Sequence, residues 1–298
     1  MPEATIPFKS TDFNERVHTR HRIGMFMSAL FFGATIFSLI VLLTLLVDVA
    51  IKGVSWLDWT FLSNYPSRLP ERAGIKSAIV GSLWMIVLTA VISVPIGVAS
   101  AVFLEEYAPR NWFFRLVQLN IANLAGVPSV IYGILGLAFF VRFMALERSL
   151  MAGALTMALL ILPVIIISTQ EALRAVPQGI RESAFALGAT RSQVIWSHLL
   201  PIAAPGIMTG VILSLSRAIG ETAPLIMIGA LSFVAFVPHS VMDGFTVLPI
   251  QIFNWTARPQ ADFRHLAAAA IIVLMVILLC MNLSAILLRN YFERYRPW

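Results

Sequence analysis

Two charged side chains stand inside an apolar run near the C-terminal third of the chain: Arg217 and Glu221, in SRAIGETAPL. A charge in hydrocarbon is costly and asks for a reason. Four residues apart, the two share one face of a helix and can pair. Counting from Ala204, where the run begins, Arg217 lies about 20 Å along the axis, near or beyond the middle of a bilayer. One reading is a structural ion pair that lets helices pack. The other is a guanidinium facing a water-filled path, where its planar fork matches a tetrahedral oxyanion through two parallel hydrogen bonds. Glu221 then holds the guanidinium and keeps the anion from being trapped, since a conducted ion must also leave. Thr222 adds a hydroxyl, and Pro224 is expected to bend the helix just past the charges. Ser129 and Tyr132, in GVPSVIYG, are polar groups in another apolar run, suited to hydrogen bonds between helices or to lining the same path.

Other chemistries find no support. The chain has no G-x-x-x-x-G-K-[ST] and so no ATP site of its own. The five histidines (18, 21, 198, 239, 265) form no H-x-x-x-H pair, and no nucleophilic triad is recognisable. The single cysteine, Cys280, excludes an intrachain disulfide and a multi-cysteine metal site, and its expected role is packing. Movement of something charged, rather than catalysis, is the reading these residues favour.

The elements that must position them are membrane helices. The chain is 59% hydrophobic and 12% charged, against about 25% charged in soluble domains, and its mean hydropathy is +0.86. Six runs reach the ~20 apolar residues of a span: Met25–Val49, Ser77–Leu104, Leu116–Val141, Leu150–Thr169, Ala204–Leu231 and Leu266–Leu288. This predicts an all-α protein with six transmembrane helices over 25–288, a polar N-terminal segment 1–24 and a tail 289–298. The first run is read as a retained helix rather than a cleaved signal. Pro95 and Pro163 allow kinks.

Of the 21 Lys and Arg, 12 lie on the side of the termini, 8 on the other, and Arg217 is within a span. That bias places both termini and the loop 171–201 in the cytoplasm. The opposite loops, Lys52–Lys76 and Val237–Arg264, carry Trp56, Trp59 and Trp255, read first as interfacial anchors and second as a docking surface.

The loop Glu171–Pro201 reads as two short amphipathic helices. RESAFAL runs from Arg181, Gly188 breaks it, and Thr190 caps a second piece with Val194, Ile195 and Leu199 on one side. Pro201 is expected to stop this piece before the fifth span. Such a hairpin either lies on the membrane or docks into a groove of a cytoplasmic motor. Gly126, Gly133, Gly136, Gly206 and Gly210 are candidate points of close helix approach.

These residues resemble a known family. Glu182, Ala184, Gly188, Leu200 and Pro201 fit the E-A-A-x-x-x-G-x9-I-x-L-P signature of ABC importer permeases, with Ser183 and His198 as departures. GVPSVIYG, RESAFALGATRSQ, LLPIAAPGIMTG and SRAIGETAPL are similar to the PstA family of phosphate-importer permeases, from about residue 75 onward. The resemblance implies a type I (MetI-like) permease core of five helices plus an extra N-terminal one, in a bacterial inner membrane. It implies a PstC-like permease as heterodimer partner, two PstB-like ATPases holding ATP and Mg, a periplasmic PstS-like phosphate-binding protein, and a link to a PhoU-like regulator. It assigns contact with the ATPases to Glu182, Ala184, Leu187, Gly188, Ala189, Thr190, Leu200 and Pro201. The runners-up are an importer for another oxyanion, a scaffold that transports nothing, and a secondary anion transporter driven by an ion gradient. The last calls for repeats and acids in broken helices, where only Asp48 and Glu221 are associated with spans.

Overall fold

In lipid, apolar contact alone does not hold helices together, so close packing must come from small residues. The helix around which this chain packs, Leu150–Arg174, follows that rule. A Cβ on Gly97, Gly136, Gly206 or Gly210 of its neighbours would lie between 2.1 and 2.8 Å from an atom of Ile165, Thr156, Ala172 or Ser168 of this helix. Its own Gly153 is closed off by Met85 and Phe245. Leu150, Met157, Ile161 and Ile165 are fully buried along it.

The computed structural model describes residues 10–230 and 233–293. Lys9, Leu231 at the end of the fifth run, and Arg294 and Arg296 of the tail lie outside the described residues, as do parts of segments 1–24 and 289–298. In chain order the helices are α1 (Ser10–Gly53), α2 (Trp59–Ser63), α3 (Lys76–Val102), α4 (Trp112–Ala125), α5 (Ser129–Gly136), α6 (Leu150–Arg174), α7 (Gln178–Ala186), α8 (Arg191–Val194), α9 (Leu200–Gly220), α10 (Ala223–Ile228), α11 (Leu248–Thr256) and α12 (Ala261–Glu293). Three π-turns, Phe103–Tyr107, Leu137–Phe143 and Ile195–Leu199, continue α3, α5 and α8. Among the described residues there is no strand, only an isolated bridge between Ser149 and Gly244. Five helices are long and apolar enough to cross a membrane, six if the pair α4 and α5 is one span. The chain divides into two units, residues 1–51 and 52–298. The first contains the apolar run Met25–Val49 on α1.

The structure departs from the sequence reading in five places. The third run is not one helix: α4 and α5 meet at 103°. Pro128 disfavours helix at Val127, and Gly126 ends α4 as its exposed C-cap rather than as a point of close approach. The fifth run is also broken, at Glu221 and Thr222, so Pro224 opens α10 instead of bending one long helix. Pro201 stops nothing. The π-turn before it sends the Leu200 N–H to Ile195 O, and this wider turn accommodates the proline ring and its missing donor. The result is one span from Arg191 to Gly220. Trp255 is no interfacial anchor: it is fully buried on α11 against Phe61 and Phe263, while Trp56 stacks on His265 and only Trp59 projects. Cys280 is exposed and packs against nothing in this chain's core.

The helix contacts carry a direct test. Gly210 leaves room for Ser168, whose Oγ and Cβ would lie 2.1 and 2.4 Å from an added Cβ. Gly210→Ala therefore lowers stability by about 1–3 kcal/mol, and Ser168→Gly in the same chain restores much of it. Thermal unfolding in mild detergent measures both; an unchanged midpoint for Gly210→Ala contradicts the packing.

Candidate functional site

The charges of the fifth run sit where its helix ends. Gly220 is the last helical residue of α9, and Glu221 follows in an extended conformation (φ −76°, ψ 125°). The chain doubles back enough for Arg217 Nε to donate to Glu221 Oε1 at 3.3 Å. The pair thus forms across a helix terminus and not along a continuous face. It is not a closed pair either: half of the Arg217 side chain is exposed, against a fifth of Glu221. Among the described residues the Arg217 terminal nitrogens have no hydrogen-bond partner, so its fork is available to a ligand. Thr222 is half-buried beside it at the start of α10.

The second break is locked from within. The last carbonyls of a helix have no partner inside it. The hydroxyl of Tyr132, buried on α5, reaches back over the bend and donates to Leu124 O of α4 at 2.8 Å. Tyr132 therefore holds the bend rather than offering its O–H to a passing solute. Ser129, half-buried, opens α5, and no contact joins it to Arg217. What the fold does bring together is the two breaks. α5 packs on α10, with Gly133 so close that an added Cβ would lie 2.7 Å from Pro224 Cα.

The hairpin after α6 is a folded unit. Gly188 adopts φ +83°, the left-handed conformation, and its N–H bonds to Phe185 O while that of Ala189 bonds to Ala184 O. Thr190 then starts α8 with a capping box: its Oγ1 accepts from Gln193 N–H at 3.4 Å and its N–H donates to Gln193 Oε1 at 2.8 Å. Ala184, Val194, Ile195 and Leu199 pack inward against Leu173 and Val176. Glu182, Thr190 and Pro201 are exposed, and Ala189 and Leu200 are half-buried. Three large apolar side chains, Phe185, Leu187 and Trp196, project from the surface, Leu187 being 89% exposed.

What fastens this hairpin was missed in the sequence. The π-turn after α3 carries Glu105, Glu106 and Tyr107, and all three reach towards it. Glu106 Oε1 accepts from Arg181 Nη2 at 3.0 Å, while Arg181 also donates to Leu173 O, in the last turn of α6, and to Val176 O just past it. Arg174 lies 3.0 Å from both Glu105 and Glu171. The Arg191 guanidinium sits over the Tyr107 ring at 5.7 Å. The sequence signal was present as two adjacent acids closing an apolar run. Away from this end, Asp243 accepts backbone N–H bonds from Ser240 and His239, which hold its carboxyl below the usual carboxylate range.

Residues 93–295 match the family described as binding-protein-dependent transport system inner membrane component. The chain is 33% identical to the phosphate transport system permease protein PstA of Mycobacterium leprae, covering 88% of this chain and 87% of that one. It is 31% identical to PstA of Haemophilus influenzae, covering 92% and 96%. Its fold is similar to that of a subunit of a bacterial alginate ABC transporter crystallised with an alginate-bound periplasmic protein (TM-score 0.66, 17% identity, 91% and 96% covered). It is also similar to the MetNI methionine ABC transporter in an inward-facing conformation (TM-score 0.57, 19% identity, 74% and 94% covered).

The anchor of the hairpin is testable in isolation from any activity. Arg181→Gln removes the bond to Glu106 and two carbonyl caps, so amide hydrogen exchange across α7 should rise about tenfold or more, a charged hydrogen bond contributing roughly 1.5–3 kcal/mol. Arg174→Gln, at a pair half open to solvent, should change it less. Equal protection in the Arg181 variant and the parent would remove Glu106 as the anchor.

Proposed function

The chain belongs to the family of binding-protein-dependent transport system inner membrane components, and from that we infer that it is the permease subunit of an ATP-driven importer of inorganic phosphate. It is a multi-pass inner membrane protein and a transporter subunit, not itself a catalyst. We assign the path to the neighbourhood of Arg217, with Glu221 and Thr222 beside it. A PstC-like permease completes the path, two PstB-like ATPases bind ATP and Mg, and a PstS-like protein delivers phosphate from outside. A PhoU-like regulator acts on the assembly. Both termini and the hairpin face the cytoplasm, a placement supported by the excess of Arg on that side.

One observation carries the mechanism: α8, its π-turn and α9 form one helix, with the hairpin at Arg191 and Arg217 near the other end. At 1.5 Å per residue the two are about 40 Å apart. A helix is stiff over that distance. Closure of the ATPases on Leu187 and Ala189 therefore moves the hairpin and, with it, the end that holds Arg217. The anion meets a guanidinium steadied through Nε by Glu221, with its terminal nitrogens free for two parallel hydrogen bonds. Glu221, close by and of like charge to the anion, limits how tightly it is held. Broken helices also occur in secondary transporters, where unwound backbone coordinates substrate, and the two breaks keep a gradient-driven reading as the alternative. It calls for uptake without nucleotide.

Uptake by the complex reconstituted with its ATPase, second permease and binding protein discriminates these readings. Arg217→Ala should lower phosphate uptake at least tenfold, for loss of a charged hydrogen bond, while ATP hydrolysis still responds to the binding protein. Arg217→Lys keeps the charge but not the fork and should recover little. Full uptake by the double variant Arg217→Ala, Glu221→Ala would take both charges off the route. A second experiment addresses Gly188, which has open space around it but a left-handed backbone. Gly188→Val should uncouple hydrolysis from uptake, whereas Gly188→Asn, tolerant of that conformation, should retain coupling; equal transport by the two would exclude the turn from the mechanism.

A further inference from the structure

A cavity of about 680 Å³ opens between the end of α3 and the first half of α4, away from Arg217 and at the end of the bundle where the hairpin sits. It falls in the range of about 300–1,000 Å³ that ligand sites occupy. Phe114, Val117 and Ile121, one face of α4, form one wall; Ala99 and Phe103 of α3 and its π-turn form the other. Its walls are almost wholly apolar. Its rim is not. Pro109 and Asn111 line the mouth, which puts Arg110 at its edge with a side chain 79% exposed. Arg115 follows one turn later on α4, exposed and without an ion-pair partner among the described residues.

The charge at this rim is one-sided. The acids of the adjoining π-turn, Glu105 and Glu106, are nearly buried and turned towards Arg174 and Arg181. Arg110 approaches Glu105 only loosely, at 3.6 Å. Trp112 and Phe113 project outward beside the two arginines, the arrangement of an interfacial belt. The occupant that complements this surface has a long apolar body and an anionic head at the level of the headgroups. Basic recesses between helices on the cytoplasmic side are where such lipids bind.

We propose that the cavity between α3 and α4 is a binding site for an anionic phospholipid, with an acyl chain against Phe114, Val117 and Ile121 and its phosphate held by Arg110 and Arg115. The site adjoins the anchor of the hairpin. A headgroup that draws Arg110 outward leaves Glu105 to Arg174, so the lipid tightens the contact between the ends of α3 and α6 next to that anchor. The proposal rests on the chain's residence in a membrane and is independent of what it transports.

The test is native mass spectrometry of the delipidated, full complex titrated with phosphatidylglycerol, phosphatidylcholine or glycerol phosphate. One phosphatidylglycerol should be retained per copy of this chain, at least tenfold more tightly than phosphatidylcholine. Arg110→Gln with Arg115→Gln should abolish that preference, and Val117→Trp, which puts an indole across the wall where the acyl chain lies, should remove both lipids. Equal affinity for the two lipids, or binding unaffected by Val117→Trp, would overturn the site. So would retention of glycerol phosphate as tightly as the lipid, which would make the rim a site for free anions. A Phe113→Cys cross-link to the second permease, in a chain carrying Cys280→Ser, would show a protein occupant and likewise overturn it.

Discussion

A helix that stops within a membrane leaves backbone donors and acceptors without water to bond to, and each must find a partner inside the protein. That constraint shapes this molecule more than any single contact. At the break at residues 126–128, Leu124 O accepts from both Val127 N–H and the Tyr132 hydroxyl, and α10 closes over Gly133. At residues 221–222, the backbone N–H of Glu221 still bonds to Ala218 O, and α10 restarts with a proline that has no donor to satisfy. The two breaks pack on each other through Gly133 and Pro224. The polar groups of both are thereby gathered at one level of the bundle, beside a guanidinium with free nitrogens.

The remainder of the fold divides between what is rigid and what is fastened. α6 is the fixed member, gripped through glycines of α3, α5 and α9 at contacts that leave no room for a methyl group. The hairpin is of another kind. Its interior is small, its exterior bears Phe185, Leu187 and Trp196, and Arg181 ties it to Glu106, while Glu105 and Arg174 join the end of α3 to the end of α6. Apolar packing on the end of α6 and the continuity of α8 with α9 complete its attachment, so the hairpin and α9 are one connected piece.

Much of this was legible in the residues. Hydropathy marks the spans because a membrane imposes length and composition together. Gly188 and Thr190 announce the turn and cap that the structure contains, since few residues can take a left-handed turn or bond the first free N–H of a helix. The breaks were not legible as breaks. Each lies inside a run whose hydropathy is continuous, and hydropathy is blind to backbone direction. Gly126, Pro128, Gly220 and Pro224 carried the signal, but prolines such as Pro95 and Pro163 sit within unbroken helices of the same chain. Pro201 was misleading for a related reason: the π-turn that absorbs it leaves no mark in composition. Trp255 was misplaced, and Glu105 passed over, because partners distant in sequence decide whether an aromatic ring or an acid faces outward. Of the polar residues singled out within the spans, Arg217 and Glu221 lie together as their spacing suggests, whereas the Tyr132 hydroxyl bonds across the bend to Leu124.

The π-turn at Ile195–Leu199 also fixes an angle. Each residue of a helix advances it by about 100°, so the one extra residue held in that turn sets the azimuth of everything before it relative to everything after. The face that α8 presents and the direction in which Arg217 points are thus related by a phase stored in a single peptide unit. Were the turn to relax to ordinary helix during the working cycle, the hairpin would rotate about the axis of α9 while the distance between its ends changed by little more than the rise of one residue. Twist about that axis, as well as displacement along it, is then a movement that the geometry of the hairpin permits.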